Sequence, residues 1–252
     1  MNRACAVSGA IMAIAGTAKA QQSAEAMTRP VVVEMFLSQS CKQSPPAAEH
    51  FSEIGQRENI VALAWHVGYW DTVTSPESGA WADPFARPEF VERQKLYNMR
   101  IRRSAMPFTP QVVIDGVISA VGSKRETLEA RITEARFLDE HSRPTPASLD
   151  LDRDGDGSIH VEIDGVGAPY DAYAVSFRPK AVTKIENGDN AGSTFNEINV
   201  VTGVKALVRA AEGERKLSFD APNDGDDCAV LVQERGQGRV VAARYCSDIV
   251  VY

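Results

Sequence analysis

Residues 31–37 (VVVEMFL) and 60–67 (IVALAWHV) are β-rich runs, and between them PPAAEHFSEIGQRE sets Ala47, Phe51 and Ile54 at helical spacing. Pro45 and Pro46 are tolerated in a first turn, where backbone N–H groups have no intrahelical acceptor anyway. The chain therefore contains a β-α-β unit, which commits it to parallel strands joined by a crossover helix. Cys41 sits where the first strand gives way to that helix, in LSQSCKQSPP. A thiol there feels the positive end of the helix dipole and unsatisfied amides, which favour thiolate, the reactive form. Ser44 stands three residues on, so the C-x-x-S spacing supplies one sulfur to capture a disulfide and no second sulfur to release it.

A second helix is predicted over PEFVERQKLYNMRI, with Phe90, Gln94, Tyr97 and Ile101 along one stripe. QVVIDG and VISAVG follow as two strands broken at Asp115-Gly116, a hairpin signal. SKRETLEARITEARFL then opens with Ser123 and Glu126 as a capping box and places Leu128, Ile132 and Ala135 on one face. The order β-α-β-α-β-β-α over residues 29–140 predicts a mixed four-stranded sheet with helices on both sides, the arrangement of a thioredoxin-like α/β domain. Thr109-Pro110 precedes the third strand. The resemblance to thioredoxin-like folds implies a cis Pro110 lying against Cys41, with Thr109 offering backbone groups to an extended substrate.

His141 to Pro146 form a short Pro-bearing linker, after which the pattern changes. ASLDLD, SIHVEID, YAVSFR, KAVTKIE, KLSFD, CAVLVQ and RVVAARYC are short strands at hairpin spacing; NEINVVTGVKALVRA alone can form a helix. Residues 147–252 are thus expected to be a mainly-β, sandwich-like domain packed on the first. Asp152-Arg153-Asp154-Gly155-Asp156-Gly157 imitates the front of an EF-hand loop. Ile163 stands where a bidentate Glu is needed and strands flank the segment, so a hairpin turn is predicted.

Residues 1–20 carry one Arg, a small apolar stretch and Ala18-Lys19-Ala20, which reads as a cleaved secretory signal; the apolar stretch is short of the ~20 residues a membrane span needs. The expected location is periplasmic or secreted, with no membrane span after cleavage. Removing Arg3 and Lys19 takes the formal charge from −7 to −9, and an acidic chain repels phosphate backbones, which argues against nucleic acid as a partner. Cys5 leaves with the leader, so an odd number of cysteines, Cys41, Cys228 and Cys246, remains for an oxidising compartment. Folding CAVLVQERGQGRVVAARYC about Arg235–Gly238 brings Cys228 opposite Cys246. Either they form a disulfide, leaving Cys41 free, or they are two small buried thiols.

Taken with Cys41, Pro110 and the element order, the motifs VVVEMFLSQSC, WHVGYWD, WADPFARPEF, RQKLY, FTPQVVIDG, GDNAG and NVV make the chain resemble a group of uncharacterised secreted bacterial proteins that join a thioredoxin-like domain to a β-rich C-terminal region. The resemblance implies the fold and no particular reaction. The chain departs from that pattern where Ser44 replaces a second Cys, Ser40 a common Gly and Gly68 an acid, and where TVTSPESGA enlarges a loop before Trp81.

Two readings stand for Glu34, flanked on its strand face by Val32 and Phe36: a buried acid poised to exchange the thiol proton, or an acid that is solvated or satisfied by a donor. His66, Tyr69, Trp70, Asp71, Trp81 and Asp83 cluster at the carboxyl end of the second strand, the edge where open α/β sheets bind ligands. They line either a substrate groove or a packed aromatic loop. Cys41 with His66 gives two ligands where a closed copper or zinc site needs more, so no metal and no cofactor is assigned. The expected function is thiol–disulfide exchange through mixed disulfides of Cys41 with a thiol- or disulfide-bearing protein or a small thiol, with Ser44, Pro110 and Glu34 in its catalytic surroundings. The alternative is a binding or structural module on a degenerate thioredoxin fold.

Overall fold

The structure is a computed structural model that describes residues 29–73, 78–142 and 147–249. The expected leader, residues 143–146 of the linker and the centre of the TVTSPESGA loop lie outside the described residues. Among the described residues no helix is long and apolar enough to cross a membrane.

Strand β1 (Val31–Leu37), helix α1 (Ser44–Ile54), strand β2 (Ile60–His66), helix α2 (Pro88–Tyr97), strands β3 (Gln111–Ile114) and β4 (Ile118–Val121), and helix α3 (Arg125–Ser142) follow the predicted order. β1 and β2 run parallel from Val31 opposite Ile60, while β3 pairs antiparallel with β1 and β4 with β3. Every residue of β1 and β2 is buried, because both sheet faces are covered. Val31, Val33, Met35 and Leu37 face Phe51 and Ile54 of α1 and Leu128 and Ile132 of α3. Val32 and Phe36 face Phe90 and Tyr97 of α2 on the other side. α3 begins at Arg125, so Ser123 lies too early to cap it as a capping box would. Asp115 (φ 49°) and Gly116 (φ 70°) make the predicted turn; a Cβ on Gly116 would come within 2.2 Å of the Gly238 carbonyl oxygen, so only glycine fits there.

The second half supplies β5 (Ser148–Arg153), β6 (Ser158–Asp164), β7 (Tyr170–Lys184), β8 (Thr194–Ala211), β9 (Arg215–Asp220), β10 (Asp227–Glu234) and β11 (Val240–Tyr245). The segment NEINVVTGVKALVRA, able to form a helix by itself, is strand β8. It pairs with β7 from Thr194 opposite Lys184 to Ala211 opposite Tyr170, and its Val200, Val201, Thr202, Val204 and Val208 favour that geometry. The β5–β6 connection is a hairpin in which the Asp154 and Asp156 carboxylates accept the Ser158 amide at 3.0 and 2.9 Å, as the turn reading of that acidic run requires.

The two halves are not separate sheets. Eight strands form one mixed sheet in the order β11-β10-β7-β8-β2-β1-β3-β4, joined where β2 meets β8 at Ala64–Val200. Side chains complete this seam. The Tyr245 hydroxyl accepts the Ala62 amide at 2.7 Å, and the Asn199 side-chain amide donates to the Ala62 carbonyl at 3.0 Å, so backbone groups that the short ladder leaves over are satisfied. The small sheet β5-β6-β9 covers one face of β7, β10 and β11 through Ile159, Val161, Ile163 and Phe219. The β-rich half is therefore a two-sheet packing in which one sheet continues into the α/β half.

Cys228 and Cys246 are disulfide-bonded, one position beyond the paired Ala229 and Tyr245, and Cys41 is the free thiol among the described residues. Closing a loop across 18 residues stabilises by about 3 kcal/mol in the chain-entropy model. Replacing both cysteines by serine is expected to cost that much in urea unfolding, and alkylation without reductant should label the Cys41 peptide but neither of the other two. Label on Cys228 or Cys246 in the folded protein contradicts the bond.

Candidate functional site

β1 ends in a turn whose backbone folds on itself: the Cys41 amide donates to the Ser38 carbonyl at 3.1 Å and the Ser44 amide to the Cys41 carbonyl at 3.0 Å. No side chain caps the first amides of α1 and no acid occupies its first turn, so the dipole end next to Cys41 is uncompensated. Cys41 is only 6% exposed, and its thiol donates to the Thr109 carbonyl at 3.6 Å. The Thr109–Pro110 peptide is cis. Ser44 is wholly buried, with its Oγ accepting the Ser38 amide at 3.3 Å; the hydroxyl of C-x-x-S belongs to the turn that shapes the thiol's surroundings.

Residues far away in the chain hold this turn. The Asn190 side-chain amide, at the centre of GDNAG, donates to the Gln39 carbonyl at 2.8 Å and the Cys41 carbonyl at 3.0 Å. The Gln39 side chain donates to Glu197 at 2.9 Å and accepts the Trp81 indole N–H at 3.1 Å. Ser40 donates to the Trp81 carbonyl at 2.7 Å, and Ser78 pins the same segment to Gly188 at 2.7 Å. Trp81 thus serves as a brace on Gln39 and Ser40.

His66, fully buried at the end of β2, lies between two acids. Its Nδ1 meets Asp83 at 2.8 Å and its Nε2 faces Glu197 at 3.2 Å. Burial pushes the imidazole toward neutrality, but the charges of Glu197 and Asp83 outweigh it and raise the pKa to about 10. The imidazole is therefore a buried cation at neutral pH. Burial raises the Asp83 carboxyl, yet His66 and the amides of Gln39 and Phe85 hold it below the ordinary carboxylate range. Asp71, near Ser40, moves the other way, to about 6, through burial and the Asp83 charge. With both ring nitrogens facing carboxylates, His66 is not presented to a metal shared with Cys41. The grouping Asp227, Cys228 and Cys246 has its sulfurs committed to the disulfide.

A third group surrounds Thr109. The Thr109 Oγ1, Gln94 Oε1, Tyr69 hydroxyl and Trp70 indole N–H are all buried without a hydrogen-bond partner. The Tyr69 hydroxyl lies close enough to the side chains of Gln94, Thr109 and Trp70 for loose hydrogen bonding, none of it well aligned, and within electrostatic reach of Cys41. Burial is the main cause of its strongly raised pKa.

Glu34 does not join this site. Its two carboxylate oxygens accept Arg93 of α2 at 2.7 and 3.0 Å, and the Tyr97 hydroxyl donates to it as well. Its lone pairs are committed, so the reading of Glu34 as the thiol's proton partner is corrected to that of an acid satisfied in the core. The structure thus gathers Cys41, Ser44, Thr109, Pro110, Tyr69 and Trp70 around the thiol and ties His66, Asp71 and Trp81 to its turn. Asp83 was already part of the cluster read at the end of the second strand, whereas Asn190 was legible only as part of GDNAG. Glu197 carried no signal, since its alternation is masked by apolar neighbours at near-helical spacing.

The family described as proteins of unknown function, DUF1223, matches residues 32–233, which span β1 to β10 and every residue of this site. The chain belongs to this family. No match is found among the curated proteins. The crystal structure of protein AGR_C_4864 from Agrobacterium tumefaciens is similar, with a TM-score of 0.71 at 20% identity over 88% of this chain and 96% of that one. At that identity the likeness concerns the fold alone.

Proposed function

We propose that the chain is an exported thioredoxin-fold protein in which Cys41 forms mixed disulfides with thiol or disulfide partners, with Thr109 and Pro110 beside the bond. The observation that carries this reading is the Cys41 thiol seated 3.6 Å from the Thr109 carbonyl, at the carboxyl end of β1 and just before α1. A thiol in that position meets the dipole of α1 and the edge of the sheet where ligands bind. The β-α-β-α-β-β-α order of residues 31–142 supports the thioredoxin-like assignment. The burial of Cys41 favours a second reading, a binding or structural module that retains the residue.

The two readings differ in chemistry. With Ser44 in the resolving position, an aromatic disulfide reagent is expected to leave a stable one-to-one adduct on Cys41 that only added thiol releases. Ser44→Cys places a second thiol in the same turn and should convert capture into turnover, measured as insulin reduction above the wild-type level. No adduct on the wild type and no turnover in the variant would favour the module.

A further inference from the structure

The polar groups around Thr109 meet one another only loosely at the Tyr69 hydroxyl, with no well-aligned hydrogen bond among them, which leaves their hydrogen-bonding capacity free for a further partner. Trp70 offers a donor, Gln94 Oε1 an acceptor, and the Tyr69 and Thr109 hydroxyls can each do both. Thr109 is 8% exposed and Gln94 not at all, so these polar atoms have exchanged water for an environment that leaves them unsatisfied. All four belong to one cluster, because the Tyr69 hydroxyl interacts with Gln94, Thr109, Trp70 and Cys41. The carbonyl of the same Thr109 accepts the Cys41 thiol. A small oxygen species between the sulfur and these groups would find a donor and an acceptor for each of its positions. Outside the cluster, a groove of about 430 Å³ lined in part by Gly68, Tyr69, Asp71, Arg87 and Val91 opens to solvent.

We propose that Cys41 reduces a small hydroperoxide, and that Thr109, Tyr69, Trp70 and Gln94 form the pocket that binds the reacting oxygen and the resulting sulfenic acid. This deepens the mixed-disulfide reading and rests on it. In the first step the Cys41 sulfur attacks the terminal peroxide oxygen; an S–O bond forms, the O–O bond breaks, and the sulfur is oxidised by two electrons. The thiol proton ends on the leaving oxygen, so Cys–SH and ROOH give Cys–SOH and ROH. A small thiol then displaces the sulfenic oxygen as water, leaving a mixed disulfide. A second molecule of that thiol releases Cys41 and departs as the small disulfide. Ser44 fits this cycle, since an external thiol does the resolving.

The test treats the full chain with hydrogen peroxide, traps sulfenic acid with dimedone, and maps the adduct by mass spectrometry. The rate constant is read relative to that for iodoacetamide, which needs the same thiol but no oxygen pocket. A single dimedone adduct on Cys41 is expected, with thiol-dependent peroxide consumption. The peroxide-to-iodoacetamide ratio should fall about tenfold in Thr109→Val and in Tyr69→Phe, the loss of one hydrogen bond to the reacting oxygen in each case. If Thr109→Val does not fold by circular dichroism, Tyr69→Phe decides. An unchanged ratio in the folded variants, or peroxide reactivity no greater than that of free cysteine, overturns the inference. Capture of the aromatic disulfide by Cys41 in the same preparation would then leave the mixed-disulfide reading standing. Failure of that capture would remove both.

Discussion

Replacing Arg93 by methionine is expected to lower the unfolding free energy by about 3–5 kcal/mol, because it leaves the Glu34 carboxylate buried without its cation. Glu34 is wholly buried in the middle of β1, and Arg93 reaches it from α2 with two hydrogen bonds. The guanidinium also lies over the rings of Trp65, Tyr97 and Tyr173 at 4.9, 5.1 and 5.7 Å, so the pair is walled by aromatic surface instead of water. Gln233 of β10 donates to the Tyr97 hydroxyl at 2.8 Å, and Gln237 donates to the Arg93 carbonyl at 2.7 Å. The network thus fastens α2 to both halves of the large sheet. The double variant Glu34→Met with Arg93→Met should recover most of the loss, since well-packed apolar groups replace a buried ion pair at little cost. Urea unfolding of the three variants measures this. A loss under about 1 kcal/mol for Arg93→Met would place the pair among solvent-screened bridges and refute the argument.

The second large effect is a pH dependence centred on His66. Its pKa of about 10 in the folded protein lies above the ~6.5 of an unfolded histidine, so folding is coupled to proton binding. The resulting stabilisation is fully present below pH ~6.5 and is lost as the pH rises through about 10, on the order of 5 kcal/mol in all. Asp83 has the opposite sense. Its carboxyl is held low by His66 against the effect of burial, so its contribution is lost as the pH falls through the folded value. The two describe one interaction and are not added. Urea midpoints for the wild type should therefore decline between pH 7 and pH 10. His66→Gln should be less stable at pH 7, with Asp83 and Glu197 left without the cation between them, and should lack the decline. A wild-type midpoint unchanged across that window would show that His66 is neutral when folded.

Both effects bear on Cys41. Glu197 of β8 meets His66 on one side and the Gln39 side chain on the other, and Gln39 lies two residues before the thiol. Loss of the His66 cation is thus expected to loosen the turn that seats Cys41 as well as the seam between the halves. Mutational tests of the thiol should accordingly be made below pH 8, where this brace is intact.

Much of the molecule was legible without coordinates because it depends on neighbours in the chain. The spacing of Ala47, Phe51 and Ile54 specifies a helix face, Asp115-Gly116 a turn, and the hairpin between Cys228 and Cys246 the approach of the two cysteines on adjacent strands. All three reflect backbone geometry acting over a few residues. β8 was less legible. Its apolar residues suit a helix taken alone, and it is a strand because β7 offers a ladder along nearly its whole length while β2 accepts it at Ala64. That pairing carries the sheet past the linker and sets Glu197 and Asn190 against the Cys41 turn. The sequence alone determined that a single thiol would stand between a strand and a helix, with a serine in the place of its partner. Only the tertiary structure decided that Glu34 belongs to Arg93, that His66 is held between Asp83 and Glu197, and that four unsatisfied polar groups gather beside Thr109. The energy of a buried charge or polar group depends on what distant segments bring within a few ångströms, and periodicity along the chain does not encode that.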